Sequence, residues 1–246
     1  MIKLQNISTR APQDLQKSAI KLKTQNLLSQ LQELQAILIA EKKHSILIVL
    51  QGLDASGKDG AVQHVFSGVN PMGCKVKAFK VPTEEETAHD FLWRIHQHAP
   101  EKGMIQIFNR SHYEDVLVPR VHAQIDKEEI KRRFHHINSW EMLLQDSDTH
   151  LLKFYLHISK EEQAIRFNER LSIPEKRWKY KESDIEESKL WDNYQIAFED
   201  IFKSCDKAAP WTIVPSDQNW YKDYIIASTI VEKLLSLKMK YPELTK

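Results

Sequence analysis

Apolar residues recur at Leu15, Ile20, Leu22, Leu27, Leu28, Leu31, Leu34, Ile37 and Leu38, with polar residues between them at roughly helical spacing. The pattern predicts an amphipathic helix over about 12–41 that packs on the domain or on a second copy of the chain. Its polar face lacks the basic stripe of a membrane-surface helix. Next, Ser45-Ile46-Leu47-Ile48-Val49-Leu50 is a short unbroken apolar run, as in a strand buried on both faces. Similar runs occur at Val76–Phe79, Met104–Phe108, Leu151–Ile158 and Trp211–Val214, with helical stretches between all five. Strands alternating with helices require right-handed crossovers, which predicts a parallel sheet covered on both faces. From Lys160 to Lys189 the chain is highly charged and interrupted by Pro174, and reads as an exposed helical hairpin. Such a hairpin is ordinarily a solvated face.

Composition narrows this picture little. The 246 residues, 41% hydrophobic and 28% charged, suit one α/β domain over 1–246 with a core that needs no staples. A net charge of +1, from 35 basic and 34 acidic side chains, excludes a nucleic-acid-coating polycation, so any polyanion site must arise by local clustering. Cys74 and Cys205 match neither a disulfide framework nor a zinc spacing. His96 with His98, and His135 with His136, point apart on a helix and make no bidentate metal site. Met1–Arg10 has no signal-peptide core, and no segment approaches the about 18 apolar residues of a membrane span. The expectation is a soluble, cytoplasmic protein with no membrane or nucleic-acid partner.

The strongest chemistry follows the first predicted strand. Gly52-Leu53-Asp54-Ala55-Ser56-Gly57-Lys58-Asp59-Gly60 keeps the G-x-x-x-x-G-K spacing of a phosphate-binding loop. Glycines let the backbone curl so that successive N–H groups face one point, and the next helix adds its positive N-terminal end. Lys58 adds a mobile point charge. Asp59 stands where Ser or Thr normally offers magnesium a hydroxyl, and Asp54 is a second carboxylate in the loop. Two carboxylates would repel a phosphate unless metal lies between them, so magnesium is expected to be obligatory.

After the third strand comes Asn109-Arg110-Ser111-His112-Tyr113-Glu114-Asp115, beyond the carboxyl end where open parallel sheets place ligand groups. Arg110 can bridge donor and acceptor phosphates. Glu114 and Asp115 can hold metal, while Tyr113 and Asp115 serve equally well as support or helix cap. After the second strand, Thr83 and Glu86 have the spacing of a capping box. Lys80 and Arg94 remain to hold an acceptor phosphate, with Phe91 as packing or as a face for a base.

These motifs, with Pro82-Thr83-Glu84-Glu85-Glu86, His89-Asp90-Phe91-Leu92-Trp93-Arg94 and the tail Ala209-Pro210-Trp211 then Val214-Pro215-Ser216-Asp217, resemble the family-2 polyphosphate kinases. The likeness runs from about 12 to 235. It implies a P-loop kinase fold similar to thymidylate kinase, a five-stranded parallel sheet flanked by helices, and magnesium dependence, with manganese as a substitute ion. It also implies reversible phosphoryl transfer between inorganic polyphosphate and nucleoside mono- or diphosphates, AMP to ADP and ADP to ATP, with guanine nucleotides as further acceptors. The 109–115 wording looks most like members that accept both AMP and ADP. The charged hairpin, about 160–189, becomes a mobile lid carrying Arg166, Arg170, Lys176, Arg177, Lys179 and Lys181. Glu187-Ser188 falls where the family often has an arginine, and Asn219 where it often has a lysine.

The resulting site has Lys58, Arg110, Asp54, Asp59 and Glu114 as catalytic groups and Asp54, Asp59 and Glu114 as metal ligands. Phosphates are met by Gly52, Ala55, Ser56, Gly57, Lys58, Asp59, Gly60, Arg110, Arg170, Lys176 and Lys179. The nucleotide is met by Lys80, Phe91, Arg94, Asn109, Arg110, Tyr113 and Glu114. Rival readings are an ATP-dependent nucleoside monophosphate kinase of thymidylate-kinase type and a nucleotide-sensing module without turnover. A homodimer or homotetramer is the expected assembly, the N-terminal helix and Trp178, Trp191, Trp211 and Trp220 offering apolar surface.

Overall fold

The computed structural model describes residues 2–243, so Met1 and 244–246, the ends of the expected domain, lie outside the described residues. In chain order the elements are α1 (Lys17–Glu41), β1 (Ser45–Gln51), α2 (Lys58–Val65), β2 (Cys74–Ala78), α3 (Glu84–Thr87), α4 (Trp93–His96), β3 (Ile105–Asn109), α5 (Glu114–Val121) and α6 (Lys127–Asp146). There follow β4 (Thr149–His157), α7 (Lys160–Ser172), α8 (Glu182–Ser188), α9 (Trp191–Ser204), β5 (Trp211–Pro215) and α10 (Asn219–Ser236). The strands form one five-stranded sheet in the order β2-β3-β1-β4-β5, with every neighbouring pair parallel. Each apolar run of the sequence became a strand.

Burial of β1 is complete because side chains alternate between two covered faces. Leu47 and Val49 pack with Phe108, Tyr155, Phe198 and Trp211 on one face. Ile46, Ile48 and Leu50 pack with Ala61, Val65, Ile226 and Ile230 on the other. Trp211 thus belongs to the core, whereas Trp178 is 76% exposed. β2 departs from the expected burial. It is the free edge of the sheet, and Lys75 and Val76 are exposed there.

Helix α1 begins at Lys17, later than the periodicity suggests. The preceding chain is held away from helical geometry by long-range bonds: Thr9 and Ala11 are tied to Asp217 and Gln218 after β5. α1 joins the core through Leu31 and Leu38, in one cluster with Ile226, Ile230 and Leu234 of α10. The charged hairpin is α7, a 3-10 turn at Pro174–Lys179, and α8. The Ser159 side chain caps α7 by accepting from Glu162 N, and Pro174 lies just beyond its end. Among the described residues no helix is long and apolar enough to cross a membrane.

Candidate functional site

The loop between β1 and α2 curls because glycine stands at its two tightest points. Gly52 has φ 148°, and a Cβ there would lie 2.8 Å from the Leu156 carbonyl oxygen. Gly57 has φ 96°, and a Cβ there would lie 2.8 Å from Lys222 Nζ. Lys58, the first residue of α2, is buried, and its ammonium donates to the carbonyls of Gly52 at 2.7 Å and Leu53 at 3.1 Å. Burial pulls its pKa down to about 8, and Arg110 nearby acts in the same direction. The Ser56 hydroxyl is buried without a partner among the described residues, which leaves a donor in the loop for a phosphate oxygen.

Arg110 follows β3 with φ 63°, a left-handed conformation that costs a non-glycine residue roughly 1–2 kcal/mol. The turn aims its guanidinium between two carboxylates, Asp54 Oδ1 at 2.5 Å and Glu114 Oε2 at 3.7 Å. Burial raises the Glu114 pKa, against the pull of Arg110 and Lys58. With the Gln51 amide turned so that its oxygen accepts from Ser111, its NH2 donates to Glu114 Oε1 at 2.9 Å. Lys58, Arg110, Asp54 and Glu114 therefore converge beyond the carboxyl ends of β1 and β3. There the crossover from β1 leaves to one side of the sheet and that from β3 to the other, the crevice in which open α/β sheets bind ligands.

Three expected roles need correction. Asp59 does not join Asp54 and Glu114: it accepts from Asn109 Nδ2 at 2.8 Å and Lys179 Nζ at 3.3 Å. Burial raises its pKa, but Asn109 and Lys179 outweigh it and the net shift is downward. Among the described residues no three of His, Cys, Asp or Glu gather as a metal cage, and Arg110 stands between Asp54 and Glu114. Tyr113 faces the core, not a nucleotide. It is fully buried, and its hydroxyl donates to Glu141 Oε1 at 2.7 Å. His112 Nε2 lies 3.2 Å from the same oxygen, and Lys153 Nζ donates to Glu141 Oε2 at 2.6 Å. Arg170 and Lys176 are paired within the lid, with Asp184 at 2.8 Å and Glu169 at 2.6 Å, while Lys179 reaches Asp59 of the phosphate loop.

Beside this crevice lies a cavity of about 700 Å³ whose walls include Pro82, Phe91, Arg94, Asp115, Arg133 and His136. The Arg133 guanidinium sits 5.3 Å from the Phe91 ring centroid. Arg94 lines the cavity with most of its donors committed, NH2 to both Asp115 oxygens at 3.1 and 2.9 Å and NH1 to the Lys80 carbonyl at 2.9 Å, while its buried Nε has no partner among the described residues. Arg94 therefore builds the wall, while the Lys80 side chain is exposed. The capping box at Thr83 and Glu86 is formed.

Several residues escaped the sequence reading. Lys222 of α10 is fully buried, with Nζ donating to the Gly57 carbonyl at 3.1 Å and to Asn219 Oδ1 at 2.9 Å. Asn219 is thus the acceptor for a neighbouring ammonium. Glu187 accepts from His122 Nε2 at 2.9 Å and from the Tyr194 hydroxyl at 2.7 Å, tying α8 to α5 and α9. Arg166, read as a lid cation, instead braces the phosphate loop, donating to the Ala55 carbonyl at 2.9 Å and the Ser216 carbonyl at 2.7 Å. Only Arg133 had a visible signal, as half of a basic pair on a helical stretch.

Residues 14–242 match the family described as Polyphosphate kinase 2. A Meiothermus ruber protein named AMP/ADP-polyphosphate phosphotransferase is 50% identical over 214 residues, covering 87% of this chain and 80% of its own. A Rhodopseudomonas palustris protein named ADP-polyphosphate phosphotransferase is 41% identical over 237 residues, covering 91% and 81%. The crystal structure of Polyphosphate Kinase 2 from Arthrobacter aurescens TC1 superposes with a TM-score of 0.96 at 36% identity, covering 100% of this chain and 89% of that one.

Proposed function

This chain belongs to the polyphosphate kinase 2 family, and from that premise we propose that it moves a phosphoryl group reversibly between inorganic polyphosphate and AMP or ADP. The observation that carries the reading is the convergence of Lys58 and Arg110 with Asp54 and Glu114, next to a cavity with Phe91 and Arg133 in its wall. The attacking group is a phosphate oxygen, already anionic near neutral pH, so no general base is required. Catalysis then reduces to alignment and charge neutralisation. Lys58 turns from the Gly52 and Leu53 carbonyls to the donor phosphates, and Arg110 turns from Asp54 to bridge donor and acceptor. The backbone N–H groups of 52–60 hold the phosphate being transferred, while the lid, α7 to α8, keeps water out.

Asp54 and Glu114 suit magnesium, which takes one or two carboxylates, substrate phosphates and several waters in place of a full protein cage. When bound there it would supply positive charge between the carboxylates and the phosphates. Asp54→Asn should raise the half-saturating magnesium concentration by about tenfold, because a neutral amide oxygen is a weaker ligand for a hard cation. Asp59→Asn should change it little, and equal effects of the two would remove Asp54 as a ligand.

The deciding assay incubates the chain with AMP, or with ADP, plus polyphosphate and magnesium and no ATP. ADP first and ATP later from AMP is the expected course, and the same assay with guanine nucleotides measures base preference. With AMP an ATP-dependent monophosphate kinase or a sensing module gives no product, and with ADP such a kinase gives only ATP and AMP in equal amounts, with or without polyphosphate. Accumulation of ADP without ATP restricts the chain to monophosphates. Light scattering tests the expected dimer or tetramer against the 28.8 kDa of one chain.

A further inference from the structure

In-line transfer places donor and acceptor on opposite sides of the phosphoryl group that moves. The cavity at Phe91 and Arg133 lies on the β3 side of the phosphate loop, so the rest of the donor must leave toward β4 and β5. There Arg166 lies between the phosphate loop and the loop after β5, with its donors on the carbonyls of Ala55, Ser216 and Asp217. Directly against that loop runs the N-terminal segment. Thr9 Oγ1 donates to Asp217 Oδ2 at 2.8 Å, Asp217 N donates to the Thr9 carbonyl at 3.0 Å, and Ala11 N donates to Gln218 Oε1 at 3.0 Å. The other Asp217 oxygen accepts from Ser159 N at 2.8 Å. The far end of the segment is equally fixed. Leu4 is 1% exposed, its N–H donates to Glu199 at 2.9 Å, and His157 Nε2 donates to the Ile7 carbonyl at 3.2 Å.

We propose that this strap, residues 3–11, is the element that sets donor specificity. It covers the crevice into which the nucleoside of an ATP donor would run, and it uses the carboxylate, amide and backbone groups of 216–218 that would otherwise read a base. A chain of bare phosphates asks for neither a base pocket nor those groups. It needs cations along its path, and Arg166 with the lid stands there. The proposal rests on the polyphosphate reading above and adds the reason a phosphate loop of this kind turns away a nucleoside triphosphate donor.

Two variants test it: deletion of residues 2–11, and a full-length chain with Thr9→Val and Ala11→Pro, which removes two of the three strap bonds to 217 and 218. Each is assayed for ADP formation from AMP with polyphosphate alone and with ATP alone. The expected result is an ATP-driven rate at least about tenfold above that of the intact chain, with the polyphosphate-driven rate within about threefold of it. A variant that keeps polyphosphate-driven transfer but gains no ATP-driven transfer overturns the proposal. So does a folded variant that loses polyphosphate-driven transfer, since the strap would then serve the polymer itself. Hydrogen exchange on the intact chain gives an answer independent of variant folding. Magnesium ATP should add no protection to the amides of 7–11 and 216–218, and added protection would place a nucleoside where the strap is held to exclude one. Absence of polyphosphate-driven transfer in the intact chain would instead count against the family-level reading.

Discussion

The segment 109–115 meets charge on two faces, and the faces are built differently. Toward the crevice, Arg110 meets Asp54 and Glu114 with side chains still 38%, 25% and 18% exposed. Toward the core, His112 and Tyr113 meet Glu141, and Glu141 and its partner Lys153 are both 0% exposed. The first cluster is wet, with one guanidinium shared unequally by two carboxylates, and can rearrange around an arriving phosphate. The second is dry, and its hydrogen bonds fix where His112 and Tyr113 sit. Polar side chains one or two residues apart thus divide between chemistry and scaffold, and the left-handed turn at Arg110 precedes the division.

The comparison breaks most visibly on the crevice side. Lys58→Ala and Arg110→Ala should each lower kcat/KM with AMP and polyphosphate by at least about 10³-fold, as for loss of a transition-state cation. Their thermal melts should stay near that of the parent chain, and native-like activity in either would remove it from the reaction. On the core side the damage is to stability. Glu141→Ala strands a buried ammonium and should cost about 3–5 kcal/mol in denaturant unfolding. Glu141→Leu with Lys153→Met should recover most of that loss, and each folded molecule should keep far more activity than Arg110→Ala. If Glu141→Ala instead matches Arg110→Ala in turnover at unchanged stability, the division between the faces is wrong.

A pH series sharpens the same contrast. Burial lowers the Lys58 pKa to about 8, so its charge is complete below that pH and is lost as pH rises through it in the free enzyme. kcat/KM for polyphosphate should therefore fall by up to about tenfold per pH unit above 8. Lys58→Arg should abolish the fall, because a guanidinium keeps its proton. The smallest effect belongs to the lid. Since Arg170 and Lys176 are already paired with acidic neighbours, replacing them and Lys179 by Ala should raise the KM for long polyphosphate only about threefold and flatten its salt dependence slightly. Unaltered donor saturation across a salt series would remove the lid cations from polyphosphate binding.

What could be read from the chain alone follows the range of the interactions. The strands, the glycine turn, the capping box and the lid hairpin are written in residues a few positions apart, and all formed. The pairings of Tyr113, Arg94 and Arg170 were not legible because their partners Glu141, Asp115 and Asp184 are set by packing between elements. Lys222 went unread since nothing near it suggests that α10 returns to the phosphate loop, and the docking of residues 3–11 went unread for the same reason. The edge position of β2 was hidden because an apolar run does not state how many neighbours its strand will have.

That edge has a bearing on how copies of the chain meet. An exposed strand is a template for adding another strand, and natural sheets guard against it with lysine. β2 carries Lys75 and Lys77, so a second β2 brought alongside would set like charges opposite one another. Growth of the sheet from molecule to molecule is thereby discouraged, both in the folded state and during folding. On this side of the sheet the two lysines thus act as gatekeepers against aggregation.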